Sequence, residues 1–175
     1  MDGIILYMGK YGSTAQYAAW LSEATGFDAV DLLKAPRTGL GAYRRVVLGS
    51  SLHCGRLRIS GWLHHHRAEL AKRDVFLYSV SGLPPESRLL HHMVQANLGF
   101  GMMAHINYYP LPGRLIYHEL DAVDRWLLRG EAWLGIRLGQ YPGRYLSATG
   151  DFNNVSRSQL DPLLQALGPS SSLSR

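Results

Sequence analysis

Residues 9–14, Gly9-Lys10-Tyr11-Gly12-Ser13-Thr14, carry the densest chemistry in the chain. Two glycines, a lysine and two hydroxyls separate a short apolar run, Ile4 to Tyr7, from the start of a helical pattern. A strand that turns straight into a helix presents unpaired backbone N–H groups at the joint. The helix dipole adds partial positive charge there. Glycine lets a ligand approach the backbone, and the Ser13 and Thr14 hydroxyls can donate to phosphate oxygens. The loop can therefore cradle a phosphate. It can equally be a plain cap, with Ser13 or Thr14 satisfying the first helical turn. The G-x-x-x-x-G-K-[ST] and G-x-G-x-x-G spacings are both absent.

Other reactive side chains are fewer. His64-His65-His66 and His91-His92 invite a metal reading. Consecutive helical residues point about 100° apart, so neither run converges on one ion. Surface positions and no metal site are expected. His53 differs, because it falls in a loop behind an apolar run and imidazole titrates near neutral pH. It is a weak candidate for proton transfer. Cys54 is the sole cysteine, so the chain can form no internal disulfide and no zinc site from cysteine pairs. Without a partner thiol, a small packed side chain is expected there in preference to a redox thiol.

The elements that position these residues can be read from periodicity. Residues 3–8 predict a buried strand, and Thr14 to Ala24 a helix closed by Gly26. "FDAVDLL" and "RRVVLGSS" predict strands two and three, separated by the turn-rich "PRTGLGAY". A helix over Gly61 to Arg73 leads to strand four, "DVFLYSVSG", and a further helix over Glu86 to Leu98. "GFGMMAHINYY" is the fifth strand. Asp121 to Leu138 predicts a long amphipathic helix, and "GRYLSATG" a strand or loop. Ser156 to Leu167 is the last helix, capped by Asn154 or Ser156. Strands alternating with helices imply a parallel sheet covered on both faces, with ligands beyond the carboxyl ends of its strands. Three strand ends carry small polar residues: Gly9 to Thr14, Gly49 to Ser51 and Ser79 to Gly82.

At 175 residues, one domain over 1–168 with a flexible tail over 169–175 is expected. Net charge is +5, read as solubility charge with no nucleic-acid partner. No apolar run reaches the roughly 18 residues of a membrane span, and a cytoplasmic protein is expected. Residues 108–138 mix Tyr108, Tyr109, Tyr117, Trp126 and Trp133 with Arg114, Arg125, Arg129 and Arg137. That mixture suits a peripheral membrane contact on the cytoplasmic face, a planar carboxylated substrate, or plain packing.

"KYGSTAQYA" resembles the phosphate loop of the flavodoxin superfamily. "VVLGSSLHCGRL" and "GRLIYHELDAVDRWLL" resemble the flavin loop and the long insertion of one branch, which includes the flavodoxin-like, menaquinone-dependent bacterial protoporphyrinogen oxidases. The resemblance spans residues 3–168. It implies an α/β three-layer sandwich with a five-stranded parallel sheet in order 2-1-3-4-5, a helical insertion before the last helix, and bound FMN. FMN contacts would come from Lys10, Tyr11, Gly12, Ser13, Thr14, Ser51, Leu52, His53, Cys54, Gly55, Ser81 and Gly82, with Val80 and Leu83 beside them. Arg114 or Arg125 would meet substrate carboxylates. The implied activity is an FMN-dependent oxidoreductase that oxidises a porphyrinogen-type substrate and passes electrons to a quinone. An electron carrier docking to redox proteins, or a flavin-free binding module, are the alternatives. A homo-oligomer is compatible with either. The sequence departs from the family at Gly9, where a hydroxyl is usual, at Tyr11, where the hydroxyl is phenolic, and at Cys54, where near relatives have tyrosine.

Overall fold

Alternation with period two sorts each long strand between two cores. In the computed structural model, residues 2–35, 39–116, 118, 122 and 151–168 are described. Ile4 and Leu6 of β1 (Gly3–Met8) face one core and Ile5 the other. Between β1 and β2 (Asp28–Asp31) runs α1 (Ser13–Thr25). In β3 (Arg45–His53), Val46 and Leu48 oppose Val47. A two-residue strand β4 (Arg56–Leu57) folds back on β3 and leads to α2 (Ser60–His65) and α3 (Arg67–Leu70). Then follow β5 (Asp74–Ser81), α4 (Arg88–Leu98), α5 (Phe100–Met103) and β6 (Ile106–Pro112). A short ribbon pairs β7 (Arg114–Leu115) with β8 (Phe152–Asn153), and α6 (Asp161–Leu167) ends the described chain.

The main sheet is parallel, in the order β2-β1-β3-β5-β6, with β4 attached to β3. Counting only the five strands of this path in chain order, this is the expected order 2-1-3-4-5. One face buries Tyr17, Ala18 and Leu21 of α1 with Leu163 and Leu167 of α6. The other buries Leu63, Leu70, Leu90, Val94 and Leu98 from α2, α3 and α4. Each fully buried Leu stabilises by roughly 1.5–3 kcal/mol relative to exposure. Both faces are thus covered, which leaves the ends of the strands for function.

Three boundaries differ from expectation. The helix over Gly61 to Arg73 is interrupted at His66, with φ −98° and ψ 12°. His66 Nδ1 lies 2.9 Å from Trp62 O and its ring stacks on Trp62 at 4.0 Å. A side chain that enters the helical ladder is a known cause of such breaks. The fifth strand starts at Ile106, not Gly99, because residues 100–103 form α5 and bury Met102 in the core. It runs on through Pro110 and Pro112, which lack N–H donors but are tolerated at the sheet edge. The last helix begins as a 3₁₀ turn, Arg157–Leu160, before α6. Pro162 has no N–H for a continuous α-helical ladder, and so fits only the first turn of α6. Neither Asn154 nor Ser156 caps it; the Ser156 hydroxyl meets that of Ser158 at 2.9 Å.

The expected helix over 121–138, the segment 143–150 and the tail 169–175 lie outside the described residues. Among the described residues no helix is long and apolar enough to cross a membrane. Tyr108 and Tyr109 are half-buried against the two faces of the sheet, so packing accounts for both.

Candidate functional site

Parallel pairing brings the polar strand ends to one edge. Met8 pairs with Ser50, Ser51 with Val80, and Ser81 with Pro112. The chain leaves β1 for one face and β3 for the other, so the gap between them is the topological switch point of the sheet.

The loop after β1 reaches this gap. Gly12, at φ 85°, is the N-cap of α1, and no side chain caps the helix. Ser13 and Thr14 are its first helical residues, which removes the plain-cap explanation of their hydroxyls. Both are buried, at 8% and 2% exposure. A Cβ built on Gly9 would lie 2.7 Å from Thr14 Cβ and 2.8 Å from Thr14 Oγ1. The hydroxyl expected at residue 9 is thus replaced in space by that of Thr14, and the two side chains exclude one another. Behind the loop, the fully buried Tyr78 donates from its hydroxyl to Thr14 O at 3.0 Å. Tyr17, one turn into α1, donates to Pro112 O at 2.8 Å. Burial pushes the Tyr78 hydroxyl well above its ordinary pKa, with Tyr7 adding to the effect, so it stays a neutral donor. Lys10 Nζ sits 5.3 Å from the centroid of the Tyr11 ring.

The loop after β3 is a hairpin. His53 pairs with Arg56, and Cys54 and Gly55 form its tip at φ 47° and 72°. Two positive φ values in a two-residue turn are the signature of type I′. Cys54 is exposed, so the packed role expected of it is wrong. The turn holds it in a left-handed conformation that costs a non-glycine residue roughly 1–2 kcal/mol. Cys54→Asn creates the Asn-Gly pair favoured in such turns. It is expected to raise stability by about 1 kcal/mol, read as a higher urea midpoint with unchanged slope. Asn97 of α4 anchors this hairpin: its amide donates to Gly55 O and Met93 O, both at 2.7 Å, and accepts from Leu57 N at 3.0 Å. Ser51 Oγ is buried and has no hydrogen-bond partner among the described residues.

The loop after β5 is shaped by Ser81, whose hydroxyl accepts from Leu83 N at 3.2 Å. Gly82 lies under Phe152 of β8; a Cβ there would approach the ring to 3.1 Å. Nearby, Tyr108 and Ser79 share a hydroxyl–hydroxyl bond of 2.7 Å, and burial pushes Tyr108 up to about 12.

The structure gathers residues 9–14, 51–55 and 81–82 at one edge. Arg114 joins the first of these loops: its Nη2 donates to Tyr11 O and its backbone N to Ser13 Oγ, both at 3.4 Å. A cavity of about 350 Å³ opens there, lined by Gly12, Ser13, Gln16, Trp20, Arg114 and Asn153 among others. Among the described residues no cluster of three or more His, Cys, Asp or Glu could hold a metal. Tyr78 and Asn97 carry no sequence signal of their roles. Only the pairing of Gly49 with a large residue in the neighbouring strand marks the first of them.

An open, doubly wound parallel sheet with a glycine loop at its switch point defines a three-layer α/β domain. A family profile described as a flavodoxin domain matches residues 4–134, and the chain belongs to that family. No curated protein matches it. Solved structures that are similar include the Trp repressor binding protein from Bacillus subtilis, at 10% identity and TM-score 0.42, covering 62% of this chain and 84% of that one. A second is a candidate flavoprotein from Bacteroides uniformis, at 15% identity and TM-score 0.43, covering 72% of this chain and 97% of that one.

Proposed function

We propose that this flavodoxin domain binds FMN noncovalently and serves as a redox protein. The observation that carries the reading is the uncapped start of α1 together with the buried Ser51 hydroxyl, which has no hydrogen-bond partner among the described residues. Both lie at the edge where the three loops meet. These residues fit a phosphate-ended planar ligand: backbone N–H groups, Ser13 and Thr14 would hold the phosphate. Leu52, His53, Cys54 and Gly55 would flank the ring on one side, and Ser81 and Gly82 on the other. FMN supplies reversible uptake of electrons and protons. The protein orients it, and Asn97 and Tyr78 hold the two loops that would contact it. His53 is the imidazole of that hairpin and would be the candidate for proton transfer to the bound ring.

The finer reading is oxidation of a porphyrinogen-type substrate with electrons passed to a quinone, supported by the resemblance of residues 113–128 to the insertion of that branch. A carrier serving redox partner proteins is the competing reading, and the +5 net charge speaks against it because familiar flavodoxins tend to be acidic.

The decisive experiment is an absorption spectrum of the purified protein mixed with FMN and desalted. Retained flavin bands are expected, followed by turnover of a porphyrinogen with a quinone acceptor. Loss of all flavin on the column would sink the cofactor assignment, and retention without turnover would leave the carrier.

A further inference from the structure

We infer that Arg58, seconded by the Ser51 hydroxyl, holds the negative charge that the flavin ring acquires on reduction, an assignment that rests on the FMN reading above. Three buried side-chain polar atoms lack a hydrogen-bond partner among the described residues, and two of them belong to this pair, Ser51 Oγ and Arg58 Nε. The third, Arg73 Nε, sits in a guanidinium that donates through Nη1 to Tyr43 O. Arg58 has no such outlet: among the described residues its side chain enters no hydrogen bond and no ion pair. A guanidinium is always charged in a protein, and withdrawing charge from water is costly unless an opposite charge meets it. Native structures leave few buried polar groups unmet, and a redox or catalytic role is among the usual reasons.

The two orphan atoms belong to one face of one hairpin. Leu52 pairs with Leu57 and His53 with Arg56, and Arg58 N donates to Ser51 O at 3.1 Å, which carries the register on to residues 51 and 58. Paired residues of an antiparallel ribbon share a face, and neighbours along a strand alternate between faces. Leu52, Leu57 and Ile59 pack into the core under α2, α3 and α4, and Ile59 N donates to Ser50 Oγ on that side at 3.2 Å. Ser51, His53, Arg56 and Arg58 therefore take the opposite side, the one on which α1 starts at the switch-point gap. This face carries two arginines, an imidazole and a hydroxyl, and no carboxylate. Depth separates the two cations. Ser51 is in register with Val80 of β5, at the root of the hairpin and between the loops after β3 and β5, and Arg58 opposes it there. Arg56 is exposed and one pair from the tip. The ring is proposed to lie between those same two loops, so Arg58 is at its depth. Charge beside a flavin sets its potential. A fixed cation there favours the reduced, anionic ring over the neutral oxidised one, because a hydrogen bond to a charged group is worth more than one to a neutral group.

The test measures dissociation constants for oxidised and for chemically reduced FMN on the full chain, in wild type, Arg58→Gln, Arg58→Lys and Ser51→Ala. The two-electron midpoint potential is read separately by equilibration with redox dyes. Arg58→Gln is expected to weaken reduced FMN by roughly 10- to 100-fold and oxidised FMN by about threefold at most. Each tenfold change in that ratio lowers the midpoint potential by about 30 mV. Arg58→Lys, keeping the charge but not the fork, should fall between, and Ser51→Ala should shift the potential the same way by less. Equal losses for both redox states would show that Arg58 props the hairpin, and unchanged affinities would remove it from the ring. Either result overturns the assignment and leaves the FMN reading standing. A wild type that binds neither state ends the FMN reading and the assignment together. Flavin-free protein gives a second measurement. Side chains kept for a ligand contribute little to the fold, so Ser51→Ala and Arg58→Met, which retains an apolar stem, should match or exceed the urea midpoint of wild type. A clearly lower midpoint for both would show that they serve the fold, and would overturn the assignment.

Discussion

Gly49→Ala is expected to destabilise the protein by about 3 kcal/mol, at the upper end of what one added methylene does in a packed core. Gly49 lies in the central strand β3, paired with Tyr7 on one side and Tyr78 on the other. A Cβ built there would stand 2.2 Å from both the Cζ and the hydroxyl of Tyr78. That ring is fully buried and has no room to retreat, because its neighbours in the same core include Tyr17 at 6.3 Å between ring centroids. The methyl group must push the ring off Thr14 O, so the effect should reach the start of α1 and lower ligand affinity as well. Urea denaturation measures the first consequence and titration with FMN the second. Companion variants separate steric from polar causes. Tyr78→Phe alone removes one buried hydrogen bond and should cost about 1 kcal/mol. Adding it to Gly49→Ala should recover little, since ring carbon Cζ still collides. Tyr78→Leu in the Gly49→Ala background clears the space and should recover part of the loss. A Gly49→Ala protein with the urea midpoint of wild type would falsify this packing description.

Gly9→Ser restores the hydroxyl that the family usually carries at this position, and it is nevertheless expected to weaken FMN binding by roughly 10- to 100-fold. The serine Cβ would enter within 2.7 Å of Thr14 Cβ and 2.8 Å of its hydroxyl. Thr14 is almost wholly buried and its backbone carbonyl is held by Tyr78, so the loop has to move instead. Global stability should change less than affinity, because the loop lies at the end of the sheet and not in either core. The pair Gly9→Ser with Thr14→Gly removes both contacting atoms of residue 14 and leaves the hydroxyl on residue 9. It should bind FMN better than Gly9→Ser alone, which is a sign that a general loosening of the loop would not produce. If the double variant is weaker than both single variants, the exclusion between residues 9 and 14 is not what shapes the loop.

Much of the fold was legible because it rests on local rules. The strands at residues 3–8, 45–53 and 74–81 are short apolar runs ended by small polar residues, a pattern that only buried strands satisfy well. Gly26, at φ 72°, closes α1 as its position suggests. The errors share a cause. At 100–103 and around Pro162, the chain follows tertiary packing and missing N–H donors against its apparent period. The break at His66 depends on a side chain returning to a carbonyl one turn back, which periodicity does not encode.

The candidate site divides along the same line. From its sequence alone the protein was determined to have a parallel α/β sheet, a glycine and hydroxyl loop between its first strand and helix, and polar strand ends on one edge. Such features depend on residue types within a few positions of one another. Tertiary structure decided that Gly12 leaves α1 uncapped, that Thr14 fills the space of a residue 9 side chain, and that Cys54 is a turn residue. It also decided that Asn97 and Tyr78 hold the loops and that Arg114 returns to the first of them. Each of these is a contact between segments tens of residues apart, or a backbone angle imposed by strand pairing, and no local pattern of side chains specifies either.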